Sequence, residues 1–265
     1  TPISQRLDEI LNRAPSRAAP FVGTGAFFHK AGLHASAILK DPASYEHTPP
    51  EAIGNQRVIP MSNQAGQSNL RARLAEAGIV VDKGDPALAR ILDLVKARED
   101  QGYAYDNAQA SFELLARREL GLMPQHFEIE RYRVTVDRQT RDGAPATLSE
   151  GIVVVRIGSA RKLSVSESLG PEGGDMGPVN ALWRALAKDL GPYQATVEDM
   201  RLSDYRVRIT RGGTDAVTRV TIDSMDGRGN RWSTVGVSPN IVDASFEALI
   251  DAIRWKLIFD EVAAA

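Results

Sequence analysis

Two histidines and a tyrosine lie close together in the segment FFHKAGLHASAILKDPASYE, which covers residues 27–46. His34 follows His29 by five residues, and Tyr45 follows His34 by eleven. Imidazole has an ordinary pKa of about 6.5, so a histidine can donate or accept a proton near neutral pH, with a phenol as a second donor beside it. The segment could therefore be a catalytic site, a metal site, or a surface helix that contains a histidine.

The spacing argues against a metal site. Two ligands on one helix face lie three or four residues apart, whereas His29 and His34 are five apart. Asp41, the next carboxylate, comes seven residues after His34, at the expected end of the helix AGLHASAILKD. We predict no metal ligands, and spacing alone favours a capped helix with one solvated histidine. A metal hydrolase that uses His29, His34, His47 and a carboxylate remains a weaker alternative.

The composition excludes several classes of protein. The chain has 265 residues, 43 % of them apolar, and a net charge of −2, which is typical of a soluble protein with up to two domains. No basic excess indicates nucleic acid binding, and no apolar run reaches the roughly 18–20 residues of a membrane span. Cysteine is absent, which excludes disulfides and thiolate zinc sites. We expect a cytoplasmic protein, and the start TPISQRL favours a piece of a longer one.

The first part of the chain, residues 1–124, is predicted to form helical linker subdomains. Apolar residues recur at helical spacing over 3–11, 68–79, 85–100 and 107–121. Asp85 is the expected N-cap of the third of these helices, with Pro86 at its first position. Gly121 is expected to end the fourth.

Residues 125–265 are predicted to form a duplicated βββα domain, which makes the fold class α+β. Alternating patterns predict three strands and a helix, and the same order then returns. VNALWRAL at 179–186 aligns with VDASFEAL at 242–249, and YRV at 132–134 aligns with YRV at 205–207. Because one helix covers only one sheet face, two such units still expose a flat surface, so we expect a homodimer.

Glycine- and proline-bearing loops lead into the helix of each repeat, SLGPEGGDMGPVNAL at 168–182 and STVGVSPNIVDAS at 233–245. A small zwitterion suits such a place, because its carboxylate can meet the amides at a helix N-terminus. Its ammonium group could meet Asp243 or Asp175. The alternative is that both loops are only tight strand-to-helix turns.

Long motifs carry a resemblance to a known family. The stretch GTGAFFHKAGLHASAILKDPASYEHTPPEAIGNQRVIPMSNQAGQSNL resembles the segment just after the catalytic barrel of the citramalate synthase and 2-isopropylmalate synthase family. TVGVSPNIVDASFEALIDAIRWKL and GPVNALWRAL resemble the last and first repeats of its regulatory domain. The resemblance covers about residues 20–260, and the citramalate synthase branch fits best.

The resemblance implies an acyltransferase of branched-chain amino-acid biosynthesis. Members condense acetyl-CoA with a 2-oxo acid, giving citramalate from pyruvate or 2-isopropylmalate from 2-oxoisovalerate. They hold a divalent metal in a TIM barrel by an acidic residue and a His-x-His pair, and this chain has neither the pair nor the barrel pattern. We therefore expect the C-terminal portion alone, without the TIM barrel, inactive by itself and without a cofactor. The divalent metal and acetyl-CoA belong to the full-length enzyme.

The resemblance also implies site residues. His34 and Tyr45 match a histidine and a tyrosine that reach the partner subunit's active site, for proton transfer or polarisation around the thioester. His29 has no matching role and is expected to be structural. The regulatory domain is expected to bind isoleucine or leucine near a dimer interface, with feedback inhibition as the result. The expected effector-binding residues are Gly177, Pro178, Val179, Asn180, Ser238, Pro239, Asn240, Ile241 and Asp243.

A second hypothesis is a stand-alone amino-acid-binding or interaction module that has no catalytic partner domain. It predicts a native gene that starts near residue 1. The first hypothesis instead predicts barrel-coding sequence upstream.

Overall fold

The computed structural model describes residues 1–11, 13, 15–61, 65–141, 144–170, 177–213 and 216–264. The chain divides into two compact units, residues 1–99 and 100–265. The boundary predicted near residue 124 differs from this division by residues 100–124. None of the helices in the described ranges is long and apolar enough to cross a membrane.

The first unit is helical in its described ranges. Its helices are α1 (Pro2–Ile10), α2 (Gly32–Lys40), α3 (Gln67–Glu76) and α4 (Pro86–Asp100), with 3-10 turns at Pro42–Ser44 and Pro50–Ile53. The start of α4 follows the sequence prediction: Pro86 is its first residue, and the Ala87 amide donates to Asp85 Oδ1 at 2.7 Å. The apolar face of α4 is buried.

The second unit contains two antiparallel three-stranded sheets, each in chain order. The first repeat has β1 (Glu128–Arg141), β2 (Ala144–Ile157), β3 (Ala160–Gly170) and α6 (Pro178–Lys188). The second has β4 (Arg201–Arg211), β5 (Val217–Met225), β6 (Arg231–Ser238) and α8 (Ile241–Phe259). This topology confirms the predicted α+β fold with a duplicated βββα domain. Smaller helices precede or join the repeats: a 3-10 turn at Tyr105–Asn107, α5 (Gln109–Glu119), a 3-10 turn at Gly191–Tyr193 and α7 (Gln194–Val197).

Each repeat helix crosses its sheet at a strand glycine. A Cβ on Gly151 of β2 would lie 2.7 Å from the Ala181 carbonyl oxygen of α6. A Cβ on Gly236 of β6 would lie only 2.0 Å from the Ala244 carbonyl oxygen of α8. Ala181 and Ala244 are equivalent in the repeat alignment, so small residues at matched helix positions allow the close approach. The strands differ, since α6 lies over the middle strand and α8 over an edge strand.

The helix α5 packs against α8 and β6, which explains why residues 100–124 belong to the second unit. Ser111 Oγ of α5 donates to Asp251 Oδ2 at 2.8 Å, and Trp255 Nε1 donates to Glu113 Oε2 at 2.8 Å. Gly121 follows the end of α5 with φ of +68°, as predicted from the sequence.

One buried core joins the two repeats. Residues from both repeats form a single apolar cluster, among them Val153 of β2, Leu186 of α6, and Phe246 and Ile253 of α8. The strand β4 contributes little to this core, because its residues are exposed to solvent except for the half-buried Tyr205. The duplication therefore builds a shared core but leaves strand β4 exposed to solvent apart from Tyr205.

Candidate functional site

The structure brings His34 and Tyr45 together. His34 lies in the first turn of α2, and a 3-10 turn over Pro42–Ser44 reverses the chain before Tyr45. Asp41 caps that turn, since the Ala43 amide donates to Asp41 Oδ1 at 3.0 Å. The two ring centroids are 4.4 Å apart with 34° between the planes, and both side chains are exposed. An imidazole and a phenol thus face solvent as one pair, which suits proton transfer to a group bound from outside.

A buried carboxylate lies directly after Tyr45. The side chain of Glu46 is 3 % exposed, and its Oε1 lies 2.9 Å from His29 Nε2 and accepts from Arg57 Nε at 2.9 Å. The Glu46 Oε2 atom accepts from a terminal nitrogen of the same guanidinium group. The partner of His29 is therefore a carboxylate that is removed from water.

Electrostatics keep this carboxylate ionised. The hydrogen bonds from Arg57 lower the pKa of Glu46, burial opposes that shift, and the bond to His29 adds to it. The same pairing raises the pKa of the Arg57 guanidinium. The pair is thus two fixed charges at neutral pH.

The histidines of the metal-hydrolase alternative have separate neighbours. His29 contacts Glu46, His34 contacts Tyr45, and the His47 ring meets the Phe21 ring edge-on at 5.9 Å. Among the residues that the structure describes, no group of three or more His, Asp or Glu side chains is placed to hold a metal ion.

The start of α6 borders a cavity in the second unit. The N-cap residue Gly177 offers no side-chain cap, and Pro178 occupies the first helical position. The side-chain oxygen Oδ1 of Asn180 is buried and has no hydrogen-bond partner in the described part of the chain. A buried acceptor without a donor costs free energy, on the order of 1–3 kcal/mol, so this atom is suited to a bound group that carries an N–H or O–H.

The cavity has a volume of about 590 Å³ and is mostly apolar. Four predicted effector residues from the α6 start line it, with further side chains from α6, β4 and α8 and from Met200. The lining residues are Gly177, Pro178, Val179, Asn180, Trp183, Met200, Arg201, Leu202, Tyr205 and Leu249. The last six were not among the predicted residues; the sequence alignment of the repeats gave no signal that β4 would close this space.

The start of α8 is occupied by its own contacts. Asn240 Oδ1 caps the helix by accepting from the Val242 amide at 2.9 Å, and Ser238 Oγ accepts from the Asn240 amide at 3.1 Å. Asp243 Oδ1 accepts a hydrogen bond from the Tyr132 hydroxyl. Burial and this neighbouring carboxylate raise the pKa of the Tyr132 phenol. Residues 238–243 do not line the cavity at the α6 start, and Asp175 lies outside the described residues.

Two protein-family models match this chain, one in each of its two parts. The family model described as the LeuA allosteric (dimerisation) domain matches residues 106–257. The chain belongs to the LeuA allosteric (dimerisation) domain family. A second model, described as homocitrate synthase post-HMGL domain-like, matches residues 21–103, the part that carries His34 and Tyr45. The two matches meet between residues 103 and 106, close to the division between the compact units.

Curated relatives extend the match. An (R)-citramalate synthase of Aquifex aeolicus is 41 % identical over 263 residues, which is 98 % of this chain and 48 % of the relative. That of Geobacter sulfurreducens is 40 % identical over 96 % of this chain and 47 % of the relative. A 2-isopropylmalate synthase of Methanocaldococcus jannaschii is 29 % identical over 91 % of this chain and 42 % of the relative.

These matches confirm the resemblance inferred from the sequence to the C-terminal portion of citramalate and 2-isopropylmalate synthases. This member of the LeuA dimerisation-domain family spans about half the length of the curated relatives it matches.

Proposed function

We propose that this chain is the regulatory and dimerisation region of a cytoplasmic acyltransferase that condenses acetyl-CoA with a 2-oxo acid. Citramalate formation from pyruvate is the favoured reaction, because (R)-citramalate synthases of 35–41 % identity match nearly the whole chain. Formation of 2-isopropylmalate is the second candidate, with relatives at 28–29 % identity. The proposal includes a homodimer, for which the family description and the exposed strand β4 are the support.

The role proposed for His34 and Tyr45 is proton transfer or polarisation at the thioester in a neighbouring subunit's active site. The support for this role is geometric: the imidazole and phenol rings lie with their centroids 4.4 Å apart, and both side chains are open to solvent. The metal of the full-length enzyme is expected to be held in the TIM barrel, and the chemistry proposed for this chain is that of the His34 and Tyr45 side chains.

The cavity at the α6 start is the proposed effector site. The observation that carries this proposal is Asn180 Oδ1, which is buried without a hydrogen-bond partner in the described residues. An α-ammonium group can donate to that oxygen. The α-carboxylate can lie near the positive end of α6 and the Arg201 guanidinium. The apolar wall, which includes Val179, Trp183 and Leu249, suits a branched aliphatic side chain. Isoleucine or leucine fits all three requirements.

Residues at the α8 start remain proposed effector contacts, but their polar atoms already have partners. A ligand would have to replace the Asn240 cap and the bond between Tyr132 and Asp243. The α6 start requires no such replacement within the described residues, which is why we favour it.

Calorimetry with isoleucine, leucine and valine tests the sensor. We expect binding of at least one, and a loss of roughly tenfold or more in affinity for Asn180→Ala, because a hydrogen bond to a charged donor contributes about 1.5–3 kcal/mol. Asn240→Ala compares the α8 start: unchanged affinity would leave the α6 start as the effector site, and an equal or larger loss would move the site to α8. If no branched-chain amino acid binds the folded chain, the regulatory proposal fails.

Kinetics test the catalytic pair. In a synthase that contains this region, His34→Ala should lower kcat by about 10²-fold or more without loss of the dimer, as expected for a general acid or base. An unchanged kcat would exclude the proposed role of His34.

A further inference from the structure

The carboxylate of Glu46 lies where three segments of the first unit meet. We infer that Glu46, held by Arg57 and His29, is a positioning residue that fixes the Tyr45 ring against His34. The inference rests on the proposed function of the His34–Tyr45 pair and adds three residues to its machinery. None of the three touches the reacting groups, so they act through the placement of Tyr45.

The clamp on Glu46 uses both carboxylate oxygens. Oε1 takes the bonds to His29 and to Arg57 Nε, each at 2.9 Å, and Oε2 takes a second bond from the Arg57 fork. A bidentate guanidinium–carboxylate pair fixes direction as well as distance. With its side chain 3 % exposed, Glu46 has little access to water as a replacement partner.

The two clamping residues are themselves tied by the backbone. Phe28 and Val58 form a parallel bridge, in which the His29 amide donates to the Val58 carbonyl at 3.0 Å and the Val58 amide donates to the Phe27 carbonyl at 3.0 Å. His29 and Arg57 each lie next to a bridge residue. The donors that reach Glu46 therefore start from one rigid junction and not from two independent loops.

The fixed carboxylate restrains the backbone from which the neighbouring Tyr45 ring extends. Tyr45 and Glu46 are consecutive, and one is exposed while the other is buried. The amides of both residues donate to the Pro42 carbonyl, at 3.3 and 3.1 Å, so their backbone is also held by the turn. Rotating Tyr45 away from His34 through the backbone would pull Glu46 out of its clamp and leave a charge buried without its partner, which is costly.

Ring-current shifts in NMR spectra of the chain test the inference. The ring of Tyr45 at 4.4 Å displaces the carbon-bound proton signals of the His34 imidazole, and Tyr45→Ala gives their positions without that ring. In Glu46→Gln, which keeps the shape but removes the charge, we expect the His34 signals to move about half or more of the way to the Tyr45→Ala positions. Arg57→Lys, which keeps the charge but loses the fork, should give a smaller move in the same direction.

Glu130→Gln is the matched control. Glu130 also accepts from two cationic side chains, Arg156 and Arg161, but it lies on β1 in the second unit. This variant should leave the His34 signals in place. A folded Glu46→Gln chain with unchanged His34 signals would overturn the inference. If Glu46→Gln fails to fold, Arg57→Lys and His29→Gln decide it, and unchanged His34 signals in both, or loss of folding in both, would overturn it.

The spectra require no turnover, so this result is independent of the proposed synthase activity. Collapse of the ring contact in Glu46→Gln together with an unchanged kcat in His34→Ala would support the positioning role and refute the catalytic one. The opposite pair of results would refute only the positioning role.

Discussion

The starts of α6 and α8 come from equivalent positions of a duplicated sequence, yet their polar side chains differ in whether they find hydrogen-bond partners. Asn240 caps α8 and Asp243 is bonded to Tyr132, so the α8 start is closed by its own side chains. At the α6 start there is no side-chain cap, and the oxygen of Asn180 is buried beside a cavity without a partner in the described residues. Asn180 and Asp243 align with each other, so one substitution in the repeat separates a structural contact from a candidate binding contact.

The aligned tyrosines show the same loss of symmetry. Tyr132 and Tyr205 occupy equivalent strand positions, but the hydroxyl groups of both reach α8, one at Asp243 and the other 2.6 Å from Ser245 Oγ. The helix α8 therefore receives anchors from both repeats and from α5 as well. The two repeat helices thus differ: α8 is held by side chains from several elements, whereas the start of α6 borders an open cavity.

The largest effect on stability should come from adding a methyl group to the strand glycine that each repeat helix crosses. Gly236→Ala places a methyl group 2.0 Å from the Ala244 carbonyl oxygen, so we expect a loss of about 3 kcal/mol or more in the free energy of unfolding. Gly151→Ala, at 2.7 Å from Ala181, should cost less, about 1–3 kcal/mol. Urea denaturation measures both, and Gly212→Ala, where the new methyl meets open space, is the control. Equal losses at Gly151 and Gly236 would contradict the closer contact of α8.

The second-largest effect on stability should come from the hydrogen bond between Tyr132 and Asp243, which joins the two repeats at the α8 start. Tyr132→Phe removes the hydrogen bond to Asp243 and should lower the free energy of unfolding by about 1–2 kcal/mol, since the acceptor is charged but exposed. Tyr205→Phe, which loses a bond to a neutral hydroxyl, should cost about 1 kcal/mol or less. Thermal or urea unfolding compares the two variants. A larger loss for Tyr205→Phe would show that the α8 start is not held in the way described.

A buried carboxyl gives α8 a pH dependence, and the equivalent position of α6 carries no carboxyl group. Burial raises the pKa of Asp251 from 3.8 to about 6, while Ser111 and Arg254 oppose the shift; the equivalent position of α6 is the exposed Lys188. Between pH 3.8 and 6 the unfolded chain releases this proton more readily than the folded chain, so the Asp251 contribution to stability falls as pH rises through that window. Asp251→Asn should remove this slope and raise the unfolding free energy at pH 7 by roughly 1–2 kcal/mol.

Melting temperatures measured from pH 4 to 7 check that expectation, with the exposed Asp93→Asn as the control. Parallel curves for Asp251→Asn and the unaltered chain would rule out the buried carboxyl as the source.

The smallest effect on stability should be the difference between alanine substitutions of Asn240 and Asn180. Asn240→Ala removes a helix cap and should cost about 1 kcal/mol. Asn180→Ala removes an acceptor that has no partner in the described residues, so the unfolding free energy should stay within about 0.5 kcal/mol or rise. Chemical denaturation without ligand measures both. Equal losses would remove the proposed difference between the two helix starts.

Sequence patterns predicted most of the elements. Period-two alternation located all six strands found in the described ranges, and the helix signals at Asp85 and Gly121 hold in the structure. The first half of β2, which includes APATLSE, was missed, because small and polar residues carry little alternation there although β1 pairs with them. The segment 100–124 was grouped with the linker because helical periodicity shows which face of α5 is buried but not against what.

By itself, the sequence determined the local elements, the duplicated order and the family, because these depend on periodicity, turn residues and long motifs within one stretch of chain. Only the tertiary structure decided that His34 meets Tyr45, that Glu46 is buried in a charge clamp, and that the open cavity lies at the α6 start. Each of these depends on which distant groups satisfy a polar atom. Aligned residues such as Asn180 and Asp243 have the same local sequence setting, and only their neighbours in space distinguish them.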